Sequence, residues 1–193
     1  MKREIKIGTT TKQQMFLMVF DLNGVLCKSV KNKEFHVRPE LPEFFRFMHE
    51  SDMRYAFWTS KTPKNGLRMV SAIKSVVGEI DPLFTWFSDK CTPDPTEDDP
   101  HRVIKDLRYI WAEFSQYDVQ NTFLVDDSCE KAGQFRKTNL IEVPAYNLNI
   151  QDTVISNLQA HISDLLLKHS DYNSKYISPS RYSLIEKSSK PPL

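Results

Sequence analysis

Three short apolar runs of this chain each end in acidic, amide or hydroxyl side chains, the residue types that hold metal ions and phosphate groups. The carboxyl ends of parallel strands share one edge of a sheet, where open α/β sheets bind ligands. If the three runs are parallel strands, the side chains that follow them converge at one place. They are Asp21 and Asn23 after the first run, Thr59 and Ser60 after the second, and Asp126 and Asp127 after the third.

Carboxylates that converge in this way repel each other unless a cation or a proton neutralises them. Oxygen donors contributed by a few protein groups suit Mg²⁺, which keeps water or phosphate oxygens in its other positions. Lys105 could reach the same edge and balance the charge of a phosphate. A turn-capping role is the simpler interpretation for Asp21 alone, but suitable residues at all four positions favour a shared site.

The apolar runs have the length of strands that are buried on both faces, as in parallel sheets. Segments with helical spacing of apolar residues alternate with them, which predicts a doubly wound parallel α/β sheet with right-handed crossovers and helices on both faces. The predicted extended segments are Met15–Phe20, Phe35–Pro39, Arg54–Trp58, Leu83–Phe87, Phe123–Val125 and Ile141–Pro144.

Four helices are predicted, each from apolar residues that repeat with helical period. Prolines at Pro42 and Pro63 suit the first turns of the first two helices, and Gly78 ends the second. The third begins at Val103, and the fourth covers Ile150–Lys168. The predicted buried faces are Leu41, Phe44, Phe45 and Met48; Leu67, Val70, Ile73 and Val77; Leu107, Ile110, Trp111 and Phe114; and Val154, Leu158, Ile162 and Leu165.

The chain of 193 residues is expected to form one domain over residues 15–168. The acidic, proline-rich stretch 91–100 is interpreted as a solvated loop rather than a metal site, because its acids keep no ligand spacing. Residues 1–14 are predicted to be a flexible lead. The polar tail 169–193 is predicted to be mobile or ordered only on a partner, and its anchors, if it docks, are Tyr172, Tyr176, Ile177 and Tyr182.

Composition excludes several classes of protein. The 26 Lys and Arg residues nearly balance the 25 Asp and Glu residues, so no nucleic-acid or membrane surface is indicated. No apolar stretch is long enough to span a bilayer. Cys27, Cys91 and Cys129 lie far apart, which favours a reducing compartment over a zinc site or a disulfide framework. Nucleus or cytosol is expected, and the basic first residues leave an organellar address open.

Four segments of the sequence resemble the motifs of the haloacid dehalogenase superfamily of phosphotransferases. They are Asp21-Leu22-Asn23-Gly24-Val25, Phe57-Trp58-Thr59-Ser60, Lys105-Asp106-Leu107 and Leu124-Val125-Asp126-Asp127-Ser128. Val37-Arg38-Pro39, followed by Leu41 and Phe44, is similar to a segment of one branch, the RNA polymerase II C-terminal-domain phosphatases and NLI-interacting factors. The resemblance covers residues 15–168 and implies a fold that has a small insert at 85–102 and lacks a large lid domain.

The resemblance also implies a role for each residue of the site. Asp21 would be the nucleophile that forms an aspartyl-phosphate. Thr59, Ser60 and Lys105 would bind the phosphoryl oxygens, and Lys105 would also pair with Asp21. Mg²⁺ would be held by Asp21, the backbone carbonyl of Asn23, Asp126 and Asp127. The substrate would be a phosphoserine or phosphothreonine on a protein loop.

Asn23 is the one departure from the superfamily pattern, which has an aspartate at this position. That aspartate protonates the leaving oxygen and then activates water, whereas an amide has no usable proton equilibrium near neutral pH. General acid–base catalysis contributes roughly 10²–10⁴-fold in rate. Two functions therefore remain open: an attenuated phosphoprotein (Ser/Thr) phosphatase, or a catalytically inactive module that uses the same pocket to hold a protein partner.

Overall fold

The computed structural model describes residues 16–31, 34–171 and 182–183. The predicted lead 1–14 and the candidate anchors Tyr172, Tyr176 and Ile177 lie outside the described residues. The elements along the chain are β1 Leu17–Phe20, β2 Cys27–Ser29, β3 Phe35–Val37, α1 Leu41–Glu50, β4 Arg54–Trp58, α2 Pro63–Val77, β5 Thr85–Trp86, β6 Thr92–Pro93, β7 Val103–Ile104, α3 Arg108–Glu113, β8 Thr122–Asp126, β9 Leu140–Glu142, α4 Val154–Asp171 and β10 Tyr182–Ser183.

The central sheet has six strands in the order β10-β9-β8-β1-β4-β5, and each neighbouring pair is parallel. Strand β1 lies in the middle, where Phe20 is in register with Phe57 of β4 and Val125 of β8. The predicted α/β fold with a parallel sheet is confirmed. At the edge of the sheet, the backbone of Tyr182 pairs with Ile141 of β9.

Side chains of β1 alternate between two apolar cores, one on each face of the sheet. Met18 and Phe20 belong to the core that α1, α2 and α4 cover, and Leu17 and Val19 belong to the core that α3 covers. Because both faces are covered, the strand is apolar throughout, as expected for a parallel sheet. Among the described residues, no helix is long and apolar enough to cross a membrane.

Helix α1 buries the four residues predicted for it. In α2, Ile73 is buried and Val70 and Val77 pack against the core as predicted, whereas the prediction for Leu67 is wrong. Leu67 is 55% exposed, and the buried residues of α2 are Gly66, Met69 and Ile73. The helix turns Gly66 inward because the ring of Phe87 occupies the space that a β-carbon at position 66 would need, 2.4 Å away. Counting only large apolar residues missed this glycine. In α4, Ile155 is buried, and the predicted Val154 is partly buried against the same core.

The prediction that a helix begins at Val103 is wrong, because α3 begins only at Arg108. Val103 and Ile104 instead form β7, which pairs antiparallel with β6. Thr92 and Pro93 of the acidic stretch therefore belong to a hairpin, and residues 95–100 form its exposed loop, in line with the predicted solvated loop. Lys105 then donates its backbone N–H to the carbonyl of Lys131 at 2.7 Å, so its own backbone is not helical. Residues Cys129–Lys137 also form two short 3-10 turns, separated by a kink at Gly133, that no pattern in the sequence predicted.

Two further strands are shorter than their predicted bounds. In the predicted 83–87 segment, the strand β5 covers only Thr85 and Trp86, although Leu83 and Phe84 also make backbone hydrogen bonds to β4. Strand β9 ends at Glu142 rather than Pro144. Proline has no N–H to donate to a neighbouring strand, which explains why pairing stops before Pro144.

Replacement of Phe44 by alanine tests the packing of α1. The ring is fully buried and contacts Phe20 edge-on with ring centroids 5.7 Å apart. We expect Phe44→Ala to lower the free energy of unfolding by about 3–5 kcal/mol, through lost transfer energy and a cavity. Leu67→Ala on α2 is the matched control and should change it by less than about 0.5 kcal/mol. Urea titration measures both, and equal losses would contradict the exposed position of Leu67.

Candidate active site

Three neighbouring strands bring three polar side chains to the same edge of the sheet. Asp21 follows β1, Thr59 follows β4, and Asp126 is the last residue of β8. All three are buried, with exposures of 6%, 1% and 1%. The register that aligns Phe20 with Phe57 and Val125 accounts for this arrangement, because it makes the strands end at the same level.

Lys105 lies between two of the carboxylates. Its Nζ donates hydrogen bonds to Asp21 Oδ1 and to Asp126 Oδ2, both at 2.6 Å, and the side chain is 1% exposed. The loop between β7 and α3 carries Lys105, and its backbone is fixed by the bond to the carbonyl of Lys131. An ammonium has three N–H donors. One donor therefore remains for another oxygen after the two carboxylates are satisfied.

The electrostatic balance of the cluster is negative. Burial raises the pKa of Asp21 to about 6, and the nearby Asp126 and Asp127 add to the rise, while Lys105 opposes it. Burial also raises the pKa of Asp127, with a further contribution from Asp126. Burial lowers the pKa of Lys105, but the attraction of Asp126 and Asp21 outweighs it, so the net shift is upward. One ammonium therefore faces three carboxyl groups and does not fully offset them.

Asp127 lies against the turn that follows Asp21. A β-carbon added to Gly24 would lie 2.1 Å from Asp127 Oδ2, so the carboxylate occupies space that only glycine leaves open. Gly24 also has φ +103°, in the region that glycine tolerates and other residues rarely adopt. Two independent constraints therefore require glycine at this position.

Asn23 and Thr59 each make a hydrogen bond to the backbone of a neighbouring loop. Asn23 Oδ1 accepts the N–H of Ser29 at 3.0 Å, which ties the turn after Asp21 to strand β2. The amide Nδ2 of Asn23 remains a donor. Thr59 Oγ1 accepts the N–H of Lys61 at 3.3 Å, which leaves the hydroxyl hydrogen available. Ser60, the other predicted hydroxyl, follows Thr59 and is partly exposed.

Arg38 is the residue whose importance sequence reasoning missed, although the Val37-Arg38-Pro39 segment had been singled out. The guanidinium group is buried, and Nε and Nη2 donate to the two carboxylate oxygens of Asp152 at 3.0 and 2.9 Å. Nη1 donates to the carbonyls of Gly24 at 3.3 Å and Val25 at 3.0 Å, and Nη2 to that of Pro144 at 2.8 Å. A buried arginine usually has several hydrogen-bond acceptors, but the sequence shows neither its burial nor which distant residues bind it.

The oxygen donors at this edge fit a hard cation such as Mg²⁺. Carboxylate oxygens of Asp21, Asp126 and Asp127, with the backbone carbonyl of Asn23, form the candidate set. Burial raises the pKa of Asp21 and of Asp127, and the neighbouring carboxylates add to both shifts. Within the described part of the chain, no group of three or more His, Cys, Asp or Glu side chains is already arranged to hold a metal ion. The backbone carbonyl, water or phosphate would therefore have to complete the coordination.

Comparison with known proteins identifies the class of this fold and site. The family described as "NLI interacting factor-like phosphatase" matches residues 16–173, so the chain belongs to that family. The resemblance to the haloacid dehalogenase superfamily, and to this branch of it, is thereby confirmed. Family membership supports a phosphatase-type function. No curated protein matches the chain in a sequence search.

Solved structures with similar folds are distant in sequence. The RNA polymerase II CTD phosphatase Fcp1 of fission yeast, bound to beryllium fluoride, is 13% identical with a TM-score of 0.49, covering 83% of this chain and 52% of its own. A second Fcp1 structure is 13% identical with a TM-score of 0.48, over 89% and 58%. A putative 3-deoxy-D-manno-octulosonate 8-phosphate phosphatase from Vibrio cholerae is 12% identical with a TM-score of 0.45, over 85% and 89%. The chain thus spans little more than half the length of the Fcp1 structures.

The raised pKa of Asp21 predicts that this residue lowers the free energy of unfolding more at neutral pH than at acidic pH. An acid whose pKa is raised from 3.8 to about 6 on folding binds its proton more tightly in the folded state, so stability falls as pH rises through that window. Asp21→Asn has no such loss. In metal-free buffer, the unfolding free energy of Asp21→Asn relative to the unchanged protein should rise by about 2–3 kcal/mol between pH 4 and pH 7.

Leu67→Ala is the control for that titration, because it replaces an exposed residue and removes no titratable group. Its unfolding free energy relative to the unchanged protein should stay nearly constant over the same pH range. Urea unfolding at several pH values measures both differences. A flat difference for Asp21→Asn would mean that Lys105 already compensates the carboxylate in full.

Proposed function

We propose that the chain is a Mg²⁺-dependent phosphoprotein (Ser/Thr) phosphatase that works through an aspartyl-phosphate on Asp21 and is slowed by Asn23. The observation that carries this proposal is the buried cluster in which Lys105 pairs with both Asp21 and Asp126, in a chain of a phosphatase family. The pairing holds Asp21 in one orientation at the edge of the sheet.

The side chains around Asp21 have free donors that suit a phosphoryl group. The third N–H of Lys105 and the hydroxyl hydrogen of Thr59 remain after the hydrogen bonds described above, and both can donate to phosphoryl oxygens. Ser60 is a further candidate for this contact. When bound, Mg²⁺ would supply positive charge that lets the phosphate approach the carboxylates. Asp21, Asp126, Asp127 and the carbonyl of Asn23 would hold it.

The reaction has two steps. A carboxylate oxygen of Asp21 attacks phosphorus and forms the aspartyl-phosphate as the bond to the leaving oxygen breaks. Water then attacks phosphorus and releases inorganic phosphate, which restores the carboxylate. In the first step, Asn23 Nδ2 can donate a hydrogen bond to the leaving oxygen but cannot transfer a proton. In the second step, it cannot take a proton from water, so hydrolysis of the aspartyl-phosphate is the slow step.

Burst kinetics with an aryl phosphate test this mechanism. An aryl leaving oxygen is a weak base and needs little protonation, so the first step should proceed without an acid. We expect a burst of product about equal to the enzyme, then a slow steady rate that requires Mg²⁺. Asn23→Asp should raise the steady rate at least about tenfold, on the low side of general acid–base effects.

The control for the burst is Asp21→Asn, which should abolish both the burst and the steady rate. A burst that persists in this variant would place the nucleophile elsewhere. If Asn23→Asp binds Mg²⁺ by calorimetry but releases no phosphate faster, the missing acid is not the limiting feature, and the proposed enzyme is the wrong reading.

A catalytically inactive module that binds a protein partner is the second candidate function. It is favoured by the hydrogen bond from Ser29 N–H to Asn23 Oδ1, because the amide serves there as a structural link of the loop. In this case the pocket would hold a phosphorylated or unphosphorylated partner without turning it over. We place either activity in the nucleus or cytosol, in line with the three free cysteines.

A further inference from the structure

Arg38 lies outside the group of side chains assigned to the reaction, yet it is bonded to the turn that carries them. An arginine has five N–H donors in a rigid planar fork. In this structure each of the five has an acceptor: two on the Asp152 carboxylate and three on backbone carbonyls. The group is 1% exposed, so these acceptors take the place of water. Its orientation is therefore fully determined.

The carbonyls that Arg38 binds belong to the turn directly after Asp21 and Asn23. Gly24 O accepts both Arg38 Nη1 and the N–H of Tyr146, the latter at 2.7 Å, while Gly24 N–H donates to Cys27 O at 2.7 Å. Three bonds therefore hold the two peptide groups that flank Gly24. The peptide group on the N-terminal side contains the Asn23 carbonyl, the candidate backbone ligand.

The same peptide groups decide where Asp127 can lie, because its carboxylate packs directly on Gly24. A rotation of the turn would move the Asn23 carbonyl and the surface that supports Asp127 together. Asp152 neutralises the guanidinium group and keeps it from adding charge to the cluster around Lys105. Asp152 Oδ1 also accepts the N–H of Val154 at 2.9 Å, so the anchor of this assembly is the first turn of α4.

We infer that Arg38 is a positioning residue: it fixes the turn after Asp21 to the start of α4, so that the Asn23 carbonyl and Asp127 stand where a cation is held. The effect of Arg38 on cation binding rests on the proposed function, whereas the effect of Arg38 on the turn does not. Lysine cannot replace it, because a single ammonium cannot reach Asp152 and three carbonyls in fork geometry. The side chain itself never touches the reacting atoms.

Two variants separate positioning from general stability. Arg38→Lys removes the fork that holds Gly24 and Val25. Asp152→Asn weakens the same buried ion pair by removing its negative charge, but it leaves the hydrogen bonds from Arg38 to the backbone carbonyls in place. Both should lower the unfolding temperature, since each disturbs a buried pair. Only Arg38→Lys should speed amide hydrogen exchange at Gly24 and Tyr146, at least tenfold relative to the amide of Leu124 in β8, whose bond to Asn139 O is remote from the turn.

Calorimetric titration with Mg²⁺ alone supplies the second measurement. We expect Arg38→Lys to weaken Mg²⁺ affinity at least tenfold, and Asp152→Asn to stay within threefold of the unchanged protein. If the unchanged protein binds no Mg²⁺, the proposed function fails, and the exchange rates alone then decide the role of Arg38. Equal exchange at Gly24 and Tyr146 in the two variants would overturn the inference, because Arg38 would then contribute only to stability.

A double variant covers the case in which Arg38→Lys does not fold. Arg38→Met with Asp152→Asn leaves no unpaired buried charge, and the asparagine oxygen can still accept the N–H of Val154 at the start of α4. The double variant lacks the Arg38 donors to the turn, so amide exchange at Gly24 and Tyr146 should again rise at least tenfold relative to Leu124. Protection equal to that of Asp152→Asn would count against the positioning role.

Discussion

The buried contact of Lys105 with Asp21 and Asp126 is the interaction on which the rest of the site depends. Two carboxylates from adjacent strands cannot lie this close in a buried setting without a cation or a proton, because burial and mutual repulsion both disfavour their charged forms. Lys105 supplies that cation from a loop far along the chain, and the backbone bond to Lys131 holds the loop in place. One ammonium does not balance all of the carboxylates, so the cluster keeps negative charge, which a cation-binding site requires.

A second buried network lies behind the first and has the opposite character. The ion pair of Arg38 and Asp152 is neutral as a whole and fully hydrogen-bonded. It therefore orients the backbone of the turn without adding net charge to the site. Gly24 lies between the two networks, with its carbonyl facing Arg38 and its α-carbon against Asp127. Arg38 thus orients the backbone of the turn, and Lys105 binds the carboxylates of Asp21 and Asp126.

The sequence predicted the parts of the fold and site that depend on local pattern. Asp21, Thr59 and Asp126 were located because apolar runs ended at them, and parallel strands bring their ends together. The prediction failed where tertiary contacts override local pattern. Leu67 was assigned to the core because the packing of Phe87 on Gly66 cannot be seen in the sequence. Val103 was assigned to a helix, because its pairing with Pro93 depends on the hairpin. The partners of Arg38 are equally distant, so only its motif was visible.

The position of β1 in the middle of the sheet has a consequence for how the protein is made. Leu17 pairs with Arg54 on one side and with Thr122 on the other, so β1 cannot have both neighbours until β8 has left the ribosome. Until then, one edge of an entirely apolar strand stays open to other chains, and parallel pairing over such sequence separations is intrinsically slow. Asp21 likewise has no Asp126 near it during that time, so the charged centre forms only after β8 has been made.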